Sequence, residues 1–176
     1  VYSNTGGQAS KASNMGQVAQ FAAAGKAIGK KSLAEIAMSY GYVYVAQVAM
    51  GADMNQLMKA LTEAEAYHGP SLIIGYAPCE MHGIKGGMQN CQLEMKRAVD
   101  AGYWLMFRYN PTLESGKLIV DSKEPTTDYT KFIESENRYA RLEASNPARA
   151  AVLFEKAKEN AAAHYQRPLK MRELYE

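Results

Sequence analysis

Apolar positions recur every three or four residues over six stretches of this chain and run almost unbroken over three others. The first kind of pattern predicts helices with one buried stripe, and the second predicts strands covered on both faces. Helical spacing appears over 15–26 (Val18, Phe21, Ala22), closed by Gly25 and Gly29, and again over 30–40. There Leu33, Ile36, Ala37 and Tyr40 fall at i, i+3, i+4 and i+7 behind Ser32, a good N-cap. A third helix is expected from Asp53, with Met54, Leu57, Met58 and Leu61 on its stripe, ending near His68-Gly69-Pro70. A fourth is expected over 88–100, and two more over 128–142 and 147–165. The continuous runs are YVYVAQVAM (42–50), SLIIGYAPC (71–79) and YWLMFRY (103–109), with KLIVDS (117–122) as a short fourth strand. The polar tail QRPLKMRELYE contains a proline and reads as extended.

Strand, helix, strand, helix, strand predicts an α/β fold built on an open, mostly parallel sheet with helices on both faces. Residues 1–125 read as this sheet domain, and 126–176 as a helical C-terminal extension packed on it or on a partner subunit. Val1 and Tyr2 are strand-type residues that fall at once into a turn, Ser3-Asn4-Thr5-Gly6-Gly7. The sheet is therefore expected to be entered partway and to be incomplete at its N-terminal side. In open parallel sheets ligands bind beyond the carboxyl ends of the strands. That rule predicts the Asn4 turn and Cys79, which ends the second apolar run, on one rim.

Composition narrows the functional classes. Of the 176 residues 47% are hydrophobic and 22% charged, an ordinary globular mixture with room for one core. A net charge of +2 gives no electrostatic reason to expect nucleic acid or a membrane surface as a partner. Two cysteines do not make a secreted disulfide framework, so a reducing cytoplasm is the expected compartment.

Two stretches could carry chemistry. In the first, Gly6-Gly7 allows close backbone approach to a ligand, and Ser3, Asn4 and Thr5 offer hydroxyl and amide groups. Its carbonyls could serve a hard cation such as Mg²⁺. The plainer reading is a polar turn capping the next helix, and spacing alone favours it. In the second, Cys79 follows Pro78, with His82 three residues on. Cys79, His82 and Cys91 match no tight zinc spacing, and Cys91 falls on a helical stripe with Met88 and Met95. An iron–sulfur cluster takes four thiolates as a rule, so Cys79 could ligate one only with partners from elsewhere. His68 ends a helix, His164 is expected on a solvated face, and Lys30-Lys31 reads as a solvated turn.

VYSNTGGQASKA, IAMSYGYVYVAQVAMGA, KALTEAEAYHGPSLIIGYAPC and RYNP, in this order, resemble the C-terminal part of pyruvate:ferredoxin (flavodoxin) oxidoreductase. The resemblance covers positions 1 to about 125 well and the terminal helices more loosely. It implies part of a thiamine-diphosphate-binding domain. By resemblance Val1 matches a backbone-carbonyl Mg²⁺ ligand, and Asn4 matches the asparagine set against the cofactor near its reacting carbon. Tyr2, Ser3 and Thr5 line the same loop, and Cys79 matches the last of the four cysteines that hold a [4Fe–4S] cluster. A Gly-Asp-Gly motif, a threonine turn and the other three cysteines lie upstream in the family and are not in these residues. The implied reaction is oxidative decarboxylation of pyruvate to acetyl-coenzyme A, with electrons passing to ferredoxin or flavodoxin. The implied partners are the remaining domains of the same enzyme and, in the full-length protein, a second copy. A sister 2-oxoacid oxidoreductase with another acyl group, or an α/β interaction module without catalysis, is the alternative. Because most ligands lie elsewhere in the family, the 176 residues by themselves should bind thiamine diphosphate more weakly than micromolar. Titration with thiamine diphosphate and Mg²⁺ checks this.

Overall fold

A computed structural model describes all residues except Ser3, Thr5 and Glu176. The expected alternation of strands and helices is present: α1 (Leu33–Met38), β1 (Tyr44–Val48), α2 (Met54–Ala66), β2 (Ser71–Gly75), α3 (Cys91–Asp100), β3 (Phe107–Tyr109), β4 (Leu118–Val120), α4 (Tyr129–Ile133), α5 (Asn137–Ser145) and α6 (Pro147–Leu174). Ser32 caps α1 by accepting from the backbone N–H of Glu35, and Asp53 caps α2 by accepting from that of Gln56.

The strands form one α/β sheet in the order β2-β1-β3-β4, flanked by helices. The expectation of a mostly parallel sheet is corrected here, because the sheet is mixed. β1 and β2 are parallel, pairing Tyr44 with Ser71 through Val48 with Gly75, whereas β1–β3 and β3–β4 are antiparallel. The reversal has a visible anchor. Trp104, just before β3, donates its indole N–H to the carbonyl of Val48 at 3.1 Å, and Gln47 donates to the carbonyl of Leu105 at 2.8 Å. β3 therefore starts at the carboxyl end of β1 and must run against it. An apolar run records that a strand exists but not which way it points.

Two other expectations fail because tertiary contacts prevail over local preference. Residues 15–26 form no helix. Their backbone N–H groups bond across the fold instead of four residues back: Gly16 to the carbonyl of Lys26 at 2.8 Å, Val18 to that of Arg138 at 2.9 Å, Gln20 to that of Gly7 at 3.2 Å. Gly25 takes φ +76°, and a Cβ there would come within 2.7 Å of Leu142. Tertiary contacts thus override the helix propensity of an alanine-rich stretch. Conversely, the tail expected to be extended continues α6 to Leu174. Pro168 removes one helical N–H, but it is buried, and Met171 and Tyr175 beyond it pack against the cluster of Val45, Phe107, Tyr109 and Leu118. Burial outweighs the lost hydrogen bond.

The helical stripes also face differently from the expectation. α1 buries Ala34, Ala37 and Met38 and exposes Leu33 and Ile36; α2 buries Gln56 and Ala60 and exposes Met54, Met58 and Leu61. The main core instead joins the sheet to the C-terminal helices, with Trp104, Phe132, Ile133, Tyr139, Leu142 and Leu153 in one apolar cluster. No helix among the described residues is long and apolar enough to cross a membrane.

Under α2 the sheet carries a buried charge. Arg108 on β3 grips Asp121 with two hydrogen bonds, at 2.9 and 3.0 Å, and pairs with Glu63 of α2. Gln56 donates to Asp121 at 2.9 Å and Tyr44 to Glu63 at 2.9 Å. Hydrogen bonding to Asp121 raises the Arg108 pKa, burial opposing it. Removing one partner of a buried ion cluster strands the others' charges. Arg108→Ala should therefore cost roughly 3–5 kcal/mol. Arg108→Lys should recover only part, because an ammonium cannot bridge a carboxylate bidentately. The midpoint of denaturant-induced unfolding checks both.

Candidate functional site

Three segments converge beyond the carboxyl end of β2: the N-terminal turn, the Cys79 loop and the start of helix α5. Their meeting is organised by Glu136, which has no exposure to solvent. Tyr76, immediately after β2, donates its hydroxyl to Glu136 at 2.8 Å, and the Arg138 guanidinium forms an ion pair with it at 2.5 Å. Tyr103 joins through Arg138 at 3.5 Å and Tyr139 at 3.2 Å, and Gln17 donates to both tyrosine hydroxyls, at 2.8 and 3.2 Å. Burial raises the pKa values of Tyr76, Tyr103 and Tyr139, so these hydroxyls stay protonated as donors. Burial opposes the charge of Arg138, but the tyrosines and Glu136 outweigh it and hold its pKa well above the ordinary value.

Above this floor lies a cavity of about 640 Å³ lined by Val1, Lys30, Tyr76, Cys79, Trp104 and Arg138, among others. A second cavity of about 370 Å³ shares Asn14, Lys30, Tyr103 and Trp104 with it and extends over Tyr2 to His164 and Asn160. Val1 and Cys79 thus face one space.

The expected site residues fall as follows. Cys79 is half-buried at the cavity wall and its Sγ lies 3.1 Å from Nδ1 of His82. Tyr2 is exposed; its backbone N–H donates to the carbonyl of Gln8 at 2.9 Å, and its carbonyl accepts from Gly7 at 2.7 Å. Asn4 lies exposed in the turn, while Ser3 and Thr5 lie outside the described residues. The turn and the Cys79 loop abut through Gly7, at φ +81°, where a Cβ would overlap Sδ of Met81. No three histidine, cysteine or acidic side chains among the described residues converge on a metal position, so zinc held by Cys79, His82 and Cys91 gains no support.

Sequence reasoning passed over several groups here. Lys30, expected in a solvated turn, is half-buried with its Nζ 4.5 Å from the centroid of the Trp104 ring. His164, expected on a solvated face, is half-buried at the second cavity, where burial lowers its pKa. Gln17, Glu136 and Arg138 had no motif to flag them, being polar residues in helix-like or charged surroundings. Only the fold makes them neighbours.

Lys30 titrates unusually low. Burial first, then the positive charges of Arg138 and Lys26, bring its pKa down to about 8. The unfolded chain holds that proton up to the ordinary lysine value of about 10.4. Between about pH 8 and that value the unfolded state therefore binds more protons, so this group's penalty on stability is full below pH 8 and is relieved as pH rises through the window. Competitive acetylation followed by peptide mapping should show Lys30 gaining reactivity near pH 8, well below the exposed lysines.

No family model matches the chain. Curated relatives do, over nearly all of it. The chain is 55% identical over 176 residues to the pyruvate:ferredoxin oxidoreductase of Moorella thermoacetica, covering 98% of the chain and 15% of that protein. It is 52% identical over 168 residues to the pyruvate-flavodoxin oxidoreductase of Klebsiella pneumoniae, covering 94% of the chain and 14% of that protein. It is 46% identical to the mitochondrial pyruvate dehydrogenase [NADP(+)] of Euglena gracilis over 98% of the chain and 10% of that protein. The chain spans about one seventh of the length of the first two relatives. Along its length the chain is homologous to one segment of the pyruvate:ferredoxin and pyruvate:flavodoxin oxidoreductases.

Proposed function

We propose that these residues form part of an enzyme that oxidatively decarboxylates pyruvate to acetyl-coenzyme A and carbon dioxide, passing the electrons through iron–sulfur clusters to ferredoxin or flavodoxin. The observation that carries the reading is the identity of 55% along essentially the whole chain, combined with a thiol and a turn of polar residues on loops that abut. Pyruvate recurs in the names of the relatives, whereas the electron acceptor named differs among them. The two free cysteines suit a reducing compartment such as the cytoplasm.

The residues present fit the groups this activity uses. Cys79 borders open space and is not sealed in hydrocarbon, as a metal-binding thiolate requires. It can supply one of four thiolates, and the remaining three would come from elsewhere in the enzyme. Val1 would offer its carbonyl to Mg²⁺, and Tyr2, Ser3 and Thr5 would complete the loop against the cofactor. When bound, thiamine diphosphate supplies the nucleophilic carbon and electron sink of the reaction, and the cluster takes the electrons onward. Asn4 is exposed, so its carboxamide is free to donate a hydrogen bond to charge developing on a substrate oxygen. The apolar residues left exposed on α1 and α2, Leu33, Ile36, Met54, Met58 and Leu61, suit burial against the remaining domains or a second copy.

Two substitutions in the full-length enzyme test this reading. Asn4→Ala should lower kcat roughly 100-fold, the effect of losing one preorganised donor, with iron content unchanged. Cys79→Ser should remove one iron–sulfur signal from the electron paramagnetic resonance spectrum and abolish reduction of ferredoxin or flavodoxin. Full acceptor reduction and full iron content in the serine variant would refute the assignment of Cys79.

A further inference from the structure

We infer that His82 is a positioning residue that donates a hydrogen bond to the Cys79 thiolate and thereby raises the reduction potential of the group this sulfur holds. The inference rests on the reading of Cys79 as a cluster ligand, and it goes beyond that reading by giving the neighbouring histidine a task.

The geometry is local and clamped. Nδ1 of His82 lies 3.1 Å from Sγ of Cys79, within the reach of an N–H···S hydrogen bond. The turn that sets this distance is closed by the backbone N–H of Gly83, which donates to the carbonyl of Cys79 at 2.8 Å. From the other side, Asn137 donates to the carbonyl of His82 at 3.0 Å. Lys85 donates to the carbonyl of Ser135 at 2.8 Å, and Ile84 bridges to Glu136. The loop is therefore tied to the segment that carries Glu136 and Arg138. His82 is buried, so its ring has little room to turn away from the sulfur.

Chemistry fixes the direction of the bond. A metal-bound thiolate carries no proton and can only accept, so the proton must be on Nδ1. Such a donor stabilises the extra negative charge that arrives on reduction. Hydrogen bonds to ligand sulfurs are among the levers that set cluster potentials. A histidine merely filling space would leave the potential alone.

The test is an equilibrium redox titration of the full-length enzyme, followed on the resonance signal that Cys79→Ser removes. His82→Ala should keep its iron but lower the midpoint, shifting the reduction equilibrium roughly tenfold, about 59 mV for one electron. His82→Asn, whose amide N–H can stand in for Nδ1–H, should restore most of the shift. A fully loaded His82→Ala enzyme with an unmoved midpoint overturns the inference. So does a His82→Asn enzyme displaced as far as the alanine variant. If His82→Ala fails to load, the comparison of His82→Asn with His82→Leu decides in the same way. Retention of every signal in Cys79→Ser would instead strike at the ligand assignment, a separate failure.

Discussion

A carboxylate with no access to water holds this structure's irregular half in place. Glu136 opens α5, yet its partners come from the end of β2 through Tyr76 and from its own helix through Arg138, with Tyr103, Tyr139 and Gln17 closing the network. A buried ion pair of this kind gains little over a well-packed apolar replacement, because desolvation offsets its attraction. Its value lies in direction. The hydroxyls and the guanidinium bond only when the N-terminal segment, the Cys79 loop and the C-terminal helices meet in one arrangement. The described residues of 1–31 contain no helix or strand beyond isolated bridges, so their position depends on backbone bonds across the fold, such as Val18 to Arg138, together with these side-chain bonds.

The rest of the fold supplies a rigid wall for that junction. β1 is buried on both faces, and β2 extends it to the edge nearest the Cys79 loop. Trp104 binds the carboxyl end of β1 through its indole N–H while carrying Lys30 on its ring, so one side chain links sheet and cavity. Two cations line the cavity and are restrained by different means, Arg138 by a carboxylate and Lys30 by an aromatic face, while nearby Lys26 is held by the carbonyls of Ser10 and Ser13. Lys30, with no carboxylate beside it, is pushed toward its neutral form by burial and by the charges of Arg138 and Lys26.

The proposed site lies on loops rather than on the frame, where a sheet presents its carboxyl ends. The sheet fixes where the Cys79 loop leaves, and the contacts of residues 135–137 fix how it turns.

What the sequence determined by itself was local. Ser32 and Asp53 marked helix starts because a side-chain acceptor at that position satisfies an otherwise unpaired N–H, and that needs no knowledge of the fold. The runs at 42–50 and 71–79 marked strands because continuous β-branched and aromatic residues pack best on a pleated surface. Ordered motifs carried the family resemblance and, with it, Asn4 and Cys79. Tertiary structure alone decided the rest. It unwound 15–26, turned β3 against β1, kept α6 helical past Pro168, and faced the Met54 and Met58 stripe outward. It also assembled Gln17, Glu136 and Arg138 into one cluster from positions more than a hundred residues apart. Periodicity records that a face is apolar, but not what covers it, and a buried polar residue is visible only once its partners are in place.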